Sequence, residues 1–198
     1  MTEAAPRRGR RPGAPDTRAA ILAAARELFA AQGYAGTSVR SIAAAAGVDG
    51  SLVHHYFGTK DDLFVAALQL PVDPRERLAD VIALGPDGAA ERLLRVFLSV
   101  WDDPEFQLPL VGLARNLLDP SGQRLLTEGF LPAILHPVGV AMGVERPEVR
   151  MPLVASQVIG LILMRYVLAV EPIASMPTDD VVAIFAPTLQ RYFTGPLP

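Results

Sequence analysis

His54 and His55 stand side by side in GVDGSLVHHYFGTK (residues 47–60), together with Ser51, Tyr56 and the chain's only lysine, Lys60. Paired histidines suggest metal or proton chemistry, but their setting does not support it. On a helix, adjacent residues point about 100° apart, and no third ligand lies at a useful spacing. No nucleophile and carboxylate accompany them in an order suited to covalent catalysis. The sequence also holds no glycine-rich phosphate loop, no HExxH and no GxSxG, so we expect neither an enzyme, nor a metal site, nor a cofactor. What remains is hydrogen bonding to a partner molecule.

The elements around these residues say which partner. A first helix starts near Asp16 or Thr17, carries the apolar stripe Ile21, Leu22, Ala25, Leu28 and Phe29, and stops at Gly33. A second begins at Thr37 or Ser38 and runs through Val39 and Ile42 to Ala46, where Gly47 allows a left-handed turn. Asp49 caps a short third helix reaching about Tyr56, and Thr59 caps a fourth. Helix, glycine turn and short helix make a helix-turn-helix. In the third helix Val53 and Phe57 share an apolar face with Val48, which leaves Gly50, Ser51, His54 and His55 on the opposite one.

A DNA major groove suits that outer face. Gly50 and Ser51 permit close approach, while Ser51, His54 and His55 can bond base edges or phosphates. Leu52 can touch a thymine methyl, and Tyr56 borders the same face. Arg40 projects near the groove edge. Thr37 and Ser38 lie at a helix N-terminus suited to phosphate, and Lys60 is placed for the opposite backbone.

Charge agrees with this assignment. The net charge of −3 hides a split: residues 1–60 hold eight basic side chains against four acidic ones, and residues 61–198 hold ten against seventeen. A basic head on an acidic body suits a polyanion at the head only. The head is preceded by an arm, residues 1–15, rich in Arg, Pro and Gly, which we read as disordered and able to track DNA. With 51% apolar residues the remainder has ample material for a core. Zero cysteines exclude disulfides and suit the cytoplasm. The chain opens without an apolar leader, and the run Leu153–Val170 is broken by Gln157 and Arg165, so it reads as a buried helix with no membrane partner.

Residues 17–64, TRAAILAAARELFAAQGYAGTSVRSIAAAAGVDGSLVHHYFGTKDDLF, closely resemble the DNA-binding domain of the TetR family of bacterial transcriptional regulators. The features that match in order are ELFAAQGY, GTSVRSIAAAAGV and HYFGTKDDLF. In that family the third helix reads the groove. The resemblance therefore implies that Gly50, Ser51, Leu52, His54 and Tyr56 contact groove or backbone, with Lys60 on phosphate. Relatives often have Leu-Tyr where this chain has Val53-His54, so an imidazole replaces a phenol at that contact.

Beyond Pro71 helices are expected over 74–84, 87–102, 104–118, 121–142, 147–170 and 178–194, with kinks or shifted boundaries at Pro132, Pro137, Pro152 and Pro187. No strand pattern occurs. The fold class is all-α: a helix-turn-helix unit over 16–64 and a larger helical bundle over 65–198 that binds ligand and dimerises. Aromatic and sparse polar residues (Phe97, Trp101, Phe106, Asn116, Gln157, Arg165 and Tyr166) are the candidate lining for a small apolar effector. The dimer interface is expected on the last two helices. Ser156 and Gly160 allow close approach beside Leu163 and Val167, and Val181, Phe185, Leu189 and Tyr192 form a second stripe.

Together these readings imply a homodimeric repressor that binds palindromic operator DNA and is released by a small molecule. Two other classes fit the residues: a helical small-molecule-binding or catalytic protein with a basic docking domain, and an effector-independent DNA-binding protein.

Overall fold

A computed structural model describes residues 16–117 and 119–197. The arm expected over residues 1–15 lies outside the described residues. Helices account for the regular structure, with no strand among the described residues.

The head consists of α1 (Thr17–Gly36), α2 (Val39–Ala46), α3 (Gly50–Phe57) and α4 (Lys60–Leu68). Its boundaries are set by side-chain caps. Asp16 accepts the amides of Arg18 and Ala19, Ser38 that of Ser41, Asp49 that of Ser51, and Thr59 that of Asp62. The helical backbone of α1 breaks at Gly33 (φ 70°, ψ 173°), where the stop was expected. Ile21, Ala25, Phe29, Ile42, Val53, Leu63 and Phe64 are wholly or almost wholly buried in one cluster. The rings of Phe29 and Phe64 meet edge to face at 5.1 Å. Truncating either Phe to Ala in such a core costs about 3–5 kcal/mol.

The body contains α5 (Pro74–Arg77), α6 (Ala79–Ala83), α7 (Ala89–Trp101), α8 (Pro104–Asn116), α9 (Pro120–Arg124), α10 (His136–Ala141), α11 (Pro147–Ile162) and α12 (Thr178–Thr194). Pi-helical turns join α9 to α10 (Leu125–Leu135) and extend α11 (Leu163–Val167). The expected span 121–142 is therefore one continuous rod of mixed helix type. Pro132 sits in its wide segment, where the normal i to i−4 bonding that proline breaks is already absent. Pro152 and Pro187, expected to kink or end their helices, lie inside uninterrupted α11 and α12. So does Pro109 in α8.

Leu94, Leu98, Val154, Leu161, Val181 and Leu189 lie at the centre of the body core. This corrects the expected dimer surface at two residues. Val181 (0% exposed) and Leu189 (2%) face the chain's own core, with Phe185 and Tyr192 packed beside them. Val181 and Leu189 therefore belong to the fold and not to a partner, while Phe185 and Tyr192 are half-buried. The stripe left outside on α12 holds Ile184, 58% exposed, with Pro187, Thr188 and Arg191. On α11, Ser156 is exposed, while Gly160, Leu163 and Val167 are half-buried, so they remain available.

The helix Pro147–Val167 is long and apolar enough to cross a membrane by length and composition, and a third of its most apolar window is buried inside the chain. Arg165 lies in this apolar stretch, its side chain 8% exposed. It donates from Nη1 to the carbonyls of Ile173 (2.8 Å) and Met176 (2.7 Å).

Head and body meet along the pi-helical segment. Ile134 belongs to the head's buried cluster, with Leu125, Phe130 and Ala133 around it. Arg124 donates to the carbonyl of Ala31 at 2.9 Å. Gly129 lies so close beneath Phe64 that an added Cβ would stand 2.3 Å from the ring.

Candidate nucleic-acid interface

The turn between α2 and α3 is built from backbone requirements. Gly47 adopts φ 67°, and its amide donates to the carbonyls of Ala43 and Ala44. Val48 N then donates to Ala43 O at 3.0 Å, which closes the turn. Asp49 follows, its Oδ1 accepting Ser51 N at 2.8 Å. Hydrogen bonding to the Ser51 side chain first, and then to its amide, holds the Asp49 carboxyl below its usual range. Val53 and Phe57 seat α3 on the head core.

Seating those two residues turns Ser51, Leu52, His54, His55 and Tyr56 to the exposed side. Leu52 and Tyr56 are large apolar or aromatic side chains left 37% and 41% exposed. Gly50 is half-buried, and a Cβ placed on it would meet nothing within 4 Å. His55 and Tyr56 pack edge to face at 5.2 Å. His54 behaves differently from its neighbour: its Nδ1 lies 2.9 Å from Gly58 O, tying the ring to the end of its own helix and leaving Nε2 for an outside partner. Between α2 and α3 runs a groove of about 500 Å³ lined by Val39, Arg40, Ala43, Ala44, Val48, Asp49, Gly50 and His54. Arg40 is exposed at its edge.

Thr37 is the residue that leaves the expected set. It is 2% exposed, and its hydroxyl donates to Gly33 O (2.8 Å) and Leu28 O (3.1 Å). It therefore ties the start of α2 back to two carbonyls of α1, and its side chain cannot reach a phosphate. Ser38 stays exposed as the cap of α2, in a reciprocal box with Ser41.

Lys60 is less free than a surface lysine. Its Nζ stands 4.1 Å above the Tyr34 ring, and Tyr34 donates its hydroxyl to Asp61. Desolvation lowers the Lys60 pKa, although the nearby Asp61 charge opposes that. Burial first, and then Asp61, raise the Tyr34 phenol well above its usual value. One basic residue was missed in the sequence. Arg18 lies 5.0 Å over the Phe57 ring, which puts a cation beside the C-terminal end of α3. Only the tertiary packing of α1 on α3 makes that visible.

The expected effector residues divide in two. Arg165 and Tyr166 line a cleft of about 320 Å³ with Asp102, Gln107, Leu108, Val111, Arg115 and Ala174. Phe97 and Trp101 stand behind it, their rings 5.4 Å apart, with Trp101 5.1 Å from Tyr166. Phe106 packs against the same small core. Asn116 is exposed and Gln157 half-buried, and neither lines the cleft. Asp102 organises the polar wall: it accepts from Tyr166 at 2.8 Å, Thr178 at 3.0 Å and Arg165 at 3.5 Å. Burial, and next the bond to Asp102, push the Tyr166 phenol well above its usual range.

Two family patterns cover most of this architecture. The one described as bacterial regulatory proteins, tetR family, matches residues 21–67, and the Tetracyclin repressor-like C-terminal domain matches residues 87–193. The chain belongs to the TetR family. It is a TetR-like transcriptional regulator with a helix-turn-helix DNA-binding domain. Among its relatives is the HTH-type transcriptional repressor Rv3405c of Mycobacterium tuberculosis, 35% identical over 138 residues, 66% of this chain and 73% of that one. The repressor AcnR of Corynebacterium glutamicum is 33% identical over 90 residues, 46% of this chain and 43% of that one. The crystal structure of a TetR-family regulator (SCO0857) from Streptomyces coelicolor A3 is 38% identical, covering 93% of this chain and 98% of that one, with a TM-score of 0.46.

Proposed function

We propose that this TetR-family protein is a cytoplasmic, non-enzymatic repressor that binds palindromic operator DNA as a homodimer and leaves it when a small molecule enters the body. The observation that carries the reading is the outer face of α3. Ser51, Leu52, His55 and Tyr56 are exposed over a buried Val53 and Phe57, and Gly50 has open space in front of it. In this reading Ser51, Leu52 and His55 meet base edges, and His54 does so through Nε2. Tyr56, Arg40, Ser38, Lys60 and Arg18 meet phosphate.

We divide the chain at about residue 64 into a DNA-binding unit (16–64) and an effector and dimer unit (65–198), although α4 itself runs across that boundary. The dimer surface joins Ser156, Gly160, Leu163 and Val167 of α11 to the outer stripe of α12 around Ile184. The packing of Leu125–Leu135 on the head supports a route from body to head, because a shift of that rod moves surfaces against Phe64 and Ala31.

Fluorescence anisotropy on a random-sequence duplex between 50 and 200 mM salt tests the DNA contacts, using about 6–10 phosphates as the working figure. A fall in affinity of about 10³–10⁵ is expected. A flat response contradicts the reading. Light scattering on the free protein tests the dimer, for which twice the mass of one chain is expected.

A further inference from the structure

The cleft beside Asp102 carries a charge that the fold does not use. Its acid, Asp102, is already satisfied by Arg165, Tyr166 and Thr178, and Arg165 is spent on Asp102 and two carbonyls. The other cation lining it, Arg115 of α8, is exposed, and its guanidinium makes no hydrogen bond or ion pair among the described residues. The cleft therefore holds one uncompensated positive charge, in a body where acidic residues outnumber basic ones seventeen to ten. The rest of its lining is Val111 and Ala174, Leu108 left 80% exposed, and Gln107, whose Nε2 donates to Trp101 O at 3.4 Å. A guanidinium presents a planar fork of donors that matches a carboxylate in two parallel bonds. The volume, about 320 Å³, lies at the small end of ligand sites.

We infer that this cleft binds a small organic acid, with the carboxylate on Arg115 and an apolar body against Leu108 and Val111. Its regulatory meaning rests on the effector reading above, but binding itself does not. The occupant thus departs from the wholly apolar effector expected from the aromatic residues, because Phe97, Trp101 and Phe106 stand behind the wall and do not line it. Arg115 sits near the end of α8, the helix that precedes α9 and the pi-helical rod in the chain.

Calorimetric titration of the full chain with 4-phenylbutyrate and with its uncharged amide tests the inference. The acid is expected to bind at least about tenfold more tightly than the amide, as one charge-assisted pair allows. Arg115→Gln should abolish that preference, and Arg115→Lys should retain part of it. Circular dichroism confirms that each variant is folded. Equal affinity for acid and amide, unchanged acid binding by Arg115→Gln, or no binding of either compound overturns the inference. DNA affinity measured with saturating acid separates the two readings. A loss of about fivefold or more supports effector release. Binding of the acid without any change in DNA affinity contradicts release and leaves the carboxylate site standing.

Discussion

Gly50 offers the sharpest test at the residue scale. With nothing near its missing Cβ, Gly50→Ala fits the free protein and should stabilise α3 by up to about 1 kcal/mol. If the backbone there approaches a base edge, the same methyl should weaken DNA binding about tenfold or more. Thermal melting and anisotropy on one preparation read both effects, and unchanged DNA affinity would remove Gly50 from the contact surface. Lys60 should act differently from the α3 residues. Its ammonium rests over Tyr34, and in the proposed complex it is a point charge on phosphate with no base preference. Lys60→Ala is expected to weaken binding to all sequences about equally and to reduce the salt slope by about one. A changed base preference in that variant would place Lys60 in the groove.

Caps make the head legible at the scale of elements. Asp16, Ser38, Asp49 and Thr59 announce four helix starts, and the 3.6-residue period of Val53 and Phe57 tells which side of α3 is buried. Two things were not legible. Thr37 and Ser38 are equally good caps on paper, and only the break at Gly33 decides that Thr37 turns inward to two carbonyls. In α12 the apolar period does not say whether a stripe covers its own core or a partner's; Val181 and Leu189 cover their own. The pi-helical turns likewise have no local signature beyond Pro132.

The cap of α4 makes a pH prediction. Asp62 bonds Thr59 through its hydroxyl and amide and pairs with Arg75 at 2.8 Å, which lowers its carboxyl to about 2, with the Thr59 bonds the largest cause. The folded value lies below the unfolded one of about 3.9. This stabilisation is therefore complete above about pH 4 and lost as pH falls toward 2. Asp62 is partly exposed, so the effect is put at the size of a lost cap, about 1 kcal/mol. Asp62→Ala should lower Tm at pH 7 by about 2–4 °C, with the difference closing near pH 2 in melts followed by circular dichroism.

For the whole molecule, the charge split and the two outer helical faces support the proposed arrangement of basic heads on DNA and bodies joined through α11 and α12. Ile184, exposed at the centre of the outer stripe of α12, has no partner in the chain's own core. Ile184→Arg should leave the fold and its Tm within the range of a surface substitution, about ±0.5 kcal/mol, while halving the mass seen by light scattering. A dimer of unchanged affinity would move the interface elsewhere. The monomeric variant should also lose affinity for paired half-sites, because a single α3 reads only a few base pairs.

Selection of bound duplexes from a random pool tests the central claim, that the outer face of α3 reads DNA from a twofold dimer. The account predicts enrichment of an inverted repeat whose half-site centres are separated by about 10–10.5 base pairs or a multiple of that. Enrichment of no sequence, or of a single half-site without its inverted partner, would contradict it.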